Sequence, residues 1–246
     1  MLGKLLKYEF LSSYRTLLPL YLALLLVSIV FQPITDMGGG MPLEILALVY
    51  VALLVAMGVV SFLTVLRRFH STMYGRESYL MHTLPVSMHT RLAANLLMGL
   101  SVYVSGWLVG MLSLSVFVLR SDMLWSLWRI FDTMFYYFLN GLNGVFYVQL
   151  LVYSLLSLTV SVLVAYLAVA VGQLAAKAKA VAGVITFVLL TSLNNHLFSY
   201  IWKVSFQRNA FMLLNNFMGV LLLVLVVAAC YYGILHYLLT KKLNVE

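Results

Sequence analysis

The chain has 246 residues, 64% of them hydrophobic and 9% charged, with a formal net charge of +8, whereas soluble domains carry about 25% charged and roughly 45–50% apolar residues. That composition excludes a water-soluble globular protein, and a mean hydropathy of +1.04 with repeated apolar runs of about 18 residues or more marks an all-α integral membrane protein. A membrane β-barrel would alternate apolar and polar residues over about 10 positions, which this chain does not do, and its positive charge follows membrane topology rather than nucleic-acid binding.

The pattern of residues 2–14, LGKLLKYEFLSSY, predicts an amphipathic helix along the inner membrane surface. Leu2, Leu5, Leu6 and Phe10 share one arc, with Lys4, Lys7 and Arg15 opposite, suited to anionic headgroups. Glu9 falls inside the apolar arc, where its carboxylate is either paired with an arginine or interfacial. This basic start is too long and amphipathic for a cleaved signal peptide, so the first apolar run is expected to remain in the mature protein.

Six stretches are long enough to cross roughly 30 Å of hydrocarbon, which takes about 20 helical residues: 16–34, 43–66, 92–119, 145–172, 180–200 and 215–239. An even number puts both termini on one side. That side carries Lys4, Lys7, Arg15, Arg67, Arg68, Arg76, Arg91, Lys177, Lys179, Lys241 and Lys242, against Arg120, Arg129, Lys203 and Arg208 on the other. The positive-inside rule therefore predicts cytoplasmic termini. The longest polar interval, about 25 residues, is too short for an independent soluble unit, so residues 1–246 are expected to form a single transmembrane domain.

Between the second and third spans, residues 67–91 (RRFHSTMYGRESYLMHTLPVSMHTR) mix Arg67, Arg68, Arg76 and Glu77 with Tyr74, Tyr79, Leu80, Met81 and Leu84. That mixture reads as a docking surface, with an ordinary solvated loop as the alternative. Gly75 permits a tight turn and Pro85 ends any short helix before it. In the third span Gly106 and Gly110 form a G-x-x-x-G face, with Gly99, Tyr103 and Ser113 nearby, a pattern that marks close helix packing. Residues 121–140 carry Asp122, Arg129 and Asp132, too much charge for a span. Trp125, Trp128, Phe131, Phe135 and Phe138 recur there at helical spacing, as in an interfacial helix on the outer surface that serves as an anchor, an outer lid or an entry site. In the fourth span Gln149, Tyr153, Ser157 and Ser161 repeat every four residues; this stripe either packs against other helices or lines a translocation pathway. Cys230, the only cysteine, reads as a small buried hydrophobe.

Catalytic and nucleotide-binding signatures are missing. No G-x-x-x-x-G-K-[ST] or H-E-x-x-H occurs, the spacing of His70, His82 and His89 gives no shared helix face for a metal, and the seven acids lie at termini, loops or span ends, away from the midplane positions that ion-coupled carriers use. The chain is therefore read as neither an enzyme nor a metal or cofactor protein.

The start GKLLKYEF, the stretch MYGRESYLMHTLPVS and the ending KKLNVE together resemble the membrane (permease) subunits of type-2 ATP-binding-cassette transporters, of the short six-span bacterial exporter type. The resemblance runs the length of the chain and is strongest over Gly75 to Pro85. It implies a homo- or heterodimer of permease subunits in the bacterial cytoplasmic membrane, bound to separate cytoplasmic ATPase subunits that hold ATP and Mg. Residues 2–14 would be the elbow helix, and Tyr74, Gly75, Arg76, Glu77, Tyr79 and Leu80 would couple to the ATPase. The chain departs from the family in the short interval 201–214, where relatives carry a re-entrant hairpin, and in the long 121–140 connection. Scarce buried charge suits an amphiphilic cargo such as a lipid, a drug or an antimicrobial peptide. Two other readings remain open: a membrane anchor or sensor that recruits a cytoplasmic partner without transport, and an ATP-independent carrier or channel.

Overall fold

In hydrocarbon a backbone must satisfy its own polar groups, and a helix does so within one segment; long apolar runs in this chain accordingly become helices. The computed structural model describes residues 14–30, 40–74, 88–118, 129, 132–133, 136, 142–175, 178–206 and 213–241. Among the described residues six helices of ten residues or more follow in order: α1 (Tyr14–Val30), α2 (Gly40–Tyr74), α3 (Met88–Val118), α4 (Leu142–Leu174), α5 (Lys179–Phe206) and α6 (Leu213–Lys241). Helices α2 to α6 are each long and apolar enough to cross a membrane, and α1 is a shorter apolar helix. The protein is an α-helical, multi-pass membrane protein. Pro42 sits in the first turn of α2, where its missing N–H costs no helical bond. Hydroxyls inside the spans turn back onto their own helix, as Thr64 Oγ1 does to the Val60 carbonyl at 2.7 Å and Thr186 Oγ1 to that of Ala182 at 2.8 Å, so they face an apolar medium without an orphaned proton.

By contact the chain divides into two compact units. The first holds α1, α2 as far as Arg68, and α3 from Leu97. Leu17, Tyr21, Leu24 and Ser28 form a buried seam along α1, at the three- and four-residue spacing of one helix face. Tyr21 reaches Ser105 at 3.1 Å and Tyr50 reaches Ser113 at 2.9 Å. Each serine already gives its one proton to a carbonyl of α3, Val102 or Gly110, so in both pairs the tyrosine donates. The Gly106 and Gly110 face closes the same contact: a Cβ at Gly106 would lie 3.6 Å from the Tyr21 hydroxyl, and one at Gly110 3.7 Å from Met57 Cε. This glycine pair packs helices of one chain. Tyr50→Phe is expected to lower stability in detergent by about 0.5–1 kcal/mol, and adding Ser113→Ala should cost little more; a full second loss on denaturant titration would show that the two hydroxyls act separately.

The second unit holds residues 69–74 and 88–96 together with α4, α5 and α6. Its centre is α4, which packs against both α5 and α6. Of the most apolar stretch of α4, 56% is buried, against 6% for α5, and residues 162–168 are buried on every face. Helices α4 and α5 meet where side chains vanish: a Cβ at Gly172 would lie 2.7 Å from the Lys179 carbonyl oxygen, and one at Gly183 3.2 Å from that of Ala168. Near the middle of α5, Tyr231 of α6 donates to Asn194 Oδ1 at 2.9 Å. Val220, Val224, Tyr231, Leu235 and Leu239 give α6 one buried seam. Cys230 is exposed on α6, not buried as its sequence context suggests, because in lipid the outward face of a helix is as apolar as the inward one.

Candidate functional site

The segment expected to dock a partner, 67–91, is partly helix. Continuous hydrogen bonding carries α2 through Arg67 and Arg68 to Tyr74, and α3 begins at Met88, so these residues extend the membrane helices instead of forming a connecting loop. Gly75, Arg76, Glu77, Tyr79 and Leu80 lie outside the described residues; Tyr74, the last residue of α2, is half-buried with its ring edge-on to Phe69 at 6.5 Å.

Both flanks of the 75–87 connection are fastened to the second unit. Phe69 stacks on Tyr166 of α4 with ring centroids 4.0 Å apart and planes 10° from parallel, and these two rings are 0% and 1% exposed. Tyr166 also donates its hydroxyl to the main-chain oxygen of Asn95 at 2.8 Å. Thr72 Oγ1 lies 3.1 Å from Asn95 Oδ1 and 3.2 Å from the Phe69 carbonyl, sharing one proton between two acceptors. The Asn95 amide donates to the Arg91 carbonyl at 3.2 Å. The last turns of α2 and the first turns of α3 are thus joined to each other and to one tyrosine in the last third of α4. A second tie lies closer to the start of α3, where His89 stacks on His236 of α6 at 4.0 Å and its Nδ1 meets the Tyr232 hydroxyl at 3.1 Å.

Compared with protein-family models, with curated proteins and with solved structures, the chain has no match. Its functional reading therefore rests on its own residues and their geometry.

The fourth-span stripe is not uniform. Gln149 is 6% exposed, and its Oε1 accepts no hydrogen bond; Tyr153 and Ser157 are half-buried, and Ser161 is exposed. Ser161 donates to the Ser157 carbonyl at 3.0 Å, and Ser154 and Thr159 bond their own helix in the same way. Within the stripe, Ser161 is thus satisfied by its own helix, whereas the Gln149 oxygen is not. The elbow residues Lys4, Lys7 and Glu9 and the aromatics Trp125, Trp128, Phe131 and Phe135 lie outside the described residues. Within 121–140, Arg129, Asp132, Thr133 and Tyr136 are helical and exposed. Among the described residues no group of three or more His, Cys, Asp or Glu side chains could hold a metal ion.

The sequence reading missed Thr72, Asn95, Tyr166 and the His89–His236 pair. Two of these had a visible signal: Asn95 is an amide inside an apolar run, and Tyr166 is the one aromatic in the aliphatic stretch 160–171. A polar tip on a buried body implies a partner across a helix contact. Nothing in the spacing of His89 and His236, 147 residues apart in the chain, could have paired them.

Proposed function

We propose that this chain is the transmembrane subunit of an ATP-driven exporter of the type-2 ATP-binding-cassette class. It spans a bacterial cytoplasmic membrane six times with both termini inside, pairs with a second permease subunit, and binds separate cytoplasmic ATPases through residues 75–87. The observation that carries this reading is the fastening of both flanks of that connection to α4 through Thr72, Asn95, Tyr166 and Phe69. A connection held this way passes a push from a bound partner into the membrane helices instead of absorbing it, which is what an alternating-access machine requires of its coupling segment. The charge asymmetry of the loops supports the orientation. The described carboxylates are Glu44 and Asp132, and neither offers a fixed midplane counter-ion, in keeping with an amphiphilic cargo.

The test is affinity purification of the tagged chain in mild detergent, with identification of bound proteins and an ATP hydrolysis assay. The expected result is a stoichiometric P-loop ATPase whose recovery falls about tenfold or more in the charge-reversed double variant Arg76→Glu with Glu77→Arg, while membrane insertion is unchanged. An ATPase retained at full yield by that variant would remove Arg76 and Glu77 from the contact. A partner without ATPase activity would favour the anchor reading, and transport in vesicles of the chain alone would favour the carrier.

A further inference from the structure

We infer that the outward face of α5 is the surface through which two copies of this chain pair in the membrane, in register and with Asn195 hydrogen-bonded to Asn195 of the partner subunit. Val181, Ile185, Val188, Ser192, Asn195 and Ser199 are all exposed. They follow one another at alternating four- and three-residue intervals, the 3.5-residue period of a left-handed coiled-coil seam. Helix α5 is fastened within the chain by its opposite face: Gly183 packs on Ala168 and Gly172 of α4, and Asn194 accepts from Tyr231 of α6. At 3.6 residues per turn Gly183 and Asn194 lie about 180° and about 200° around the helix from Ser192, so these contacts turn the seam away from α4 and α6. The same helix is the least buried of the five long apolar ones.

Lipid does not suit the outer half of this seam. The exposed faces of α2 and α6 are aliphatic, with Val51, Val55 and Val59 on one and Leu222, Leu225 and Val226 on the other, as acyl chains require of a helix they surround. On α5 the seam changes from Val181, Ile185 and Val188 to Ser192 and Asn195. Asn195 lies six residues from the centre of the span Lys179–Ser199, about 9 Å at 1.5 Å per residue, within the roughly 15 Å of hydrocarbon on that side of the midplane. An amide there finds no partner among lipid tails, and a hydrogen bond across a helix contact supplies one. A second copy of α5 fits this need. A two-fold axis along the membrane normal sets identical helices parallel and in register, so each seam residue meets its own counterpart. None of the six carries a charge that would repel its copy, and an asparagine side chain both donates and accepts, so it pairs with itself. This interface deepens the pairing in the proposed function and rests on that part of it alone.

Single cysteines introduced into a Cys230→Ala background test it, with the full chain in liposomes at high lipid dilution. Under oxidation Ser192→Cys and Ser199→Cys should each give a disulfide-linked dimer in roughly tenfold or greater excess over Leu222→Cys on the exposed face of α6, because a disulfide needs Cβ atoms about 3.5–4.5 Å apart. Energy transfer between donor- and acceptor-labelled copies in the same liposomes should show pairing weakened roughly threefold to thirtyfold by Asn195→Leu. Each of these variants changes an exposed side chain and leaves the Asn194 contact with Tyr231 in place, and thermal unfolding in detergent reports whether it is folded. Seam cysteines that crosslink no more than Leu222→Cys overturn the inference, and so does pairing as strong in Asn195→Leu as in the wild type. ATPase recovery is read separately: crosslinking without a bound ATPase upholds this interface while the exporter reading fails, and a bound ATPase without crosslinking does the reverse.

Discussion

Gly172→Ala is expected to destabilise the protein by about 1–3 kcal/mol, a large effect for a single methyl group. The added Cβ would stand 2.7 Å from the Lys179 carbonyl oxygen and 3.1 Å from Gly183 Cα. Both obstacles are backbone, so neither can rotate aside, and α4 and α5 must separate along their contact. In lipid no hydrophobic force restores the lost packing, because the tails are as apolar as the side chains. Gly233→Ala is the matched control: a Cβ there meets nothing within 4 Å, and alanine favours a helix over glycine by about 0.5–1 kcal/mol. Thermal unfolding in detergent should therefore move in opposite directions for the two variants. Equal shifts would mean that the α4–α5 approach is not tight in the membrane protein.

Tyr166→Ala is expected to cost about 3–5 kcal/mol and to loosen both ends of the 75–87 connection together. The substitution empties a site that is 1% exposed, removes the ring stacked on Phe69 and deletes the donor to the Asn95 carbonyl. Tyr166→Phe separates these contributions. It keeps the stack and loses one hydrogen bond, for about 1 kcal/mol, since the Asn95 oxygen remains available to its own helix. Hydrogen exchange at 69–74 and 88–96 should rise strongly in the alanine variant and slightly in the phenylalanine variant. If protection falls on only one flank, Tyr166 does not unite them, and the structural support for the coupling role of the connection is lost.

These two effects also show where a sequence stops being readable. Helix count, approximate span positions and membrane class follow from apolar run length, because the bilayer sets a minimum length and forbids unsatisfied backbone. The runs 43–66, 145–172, 180–200 and 215–239 each lie within an observed helix, and 92–119 overlaps one as far as Val118. The Gly106–Gly110 face was visible for a similar reason: small residues four apart permit close approach. The same pattern at Ala168 and Gly172 passed unnoticed beside it, although its contact with Gly183 is the tighter one.

Helix ends were less legible. The charged residues of 67–74 suggested that the span had ended, yet a helix continues past the membrane boundary wherever its backbone bonds remain favourable. Facing was least legible of all. In a soluble helix polar residues point outward and identify the core by contrast; in lipid both faces are apolar, so Cys230 could be placed on the wrong one. Composition and run length therefore decide that this chain is a multi-pass helical membrane protein. The joining of Thr72, Asn95 and Tyr166, the glycine contact of α4 with α5 and the stacking of His89 on His236 depend on which helix lies beside which, and that is set by side-chain shape and hydrogen bonding between residues remote in the chain.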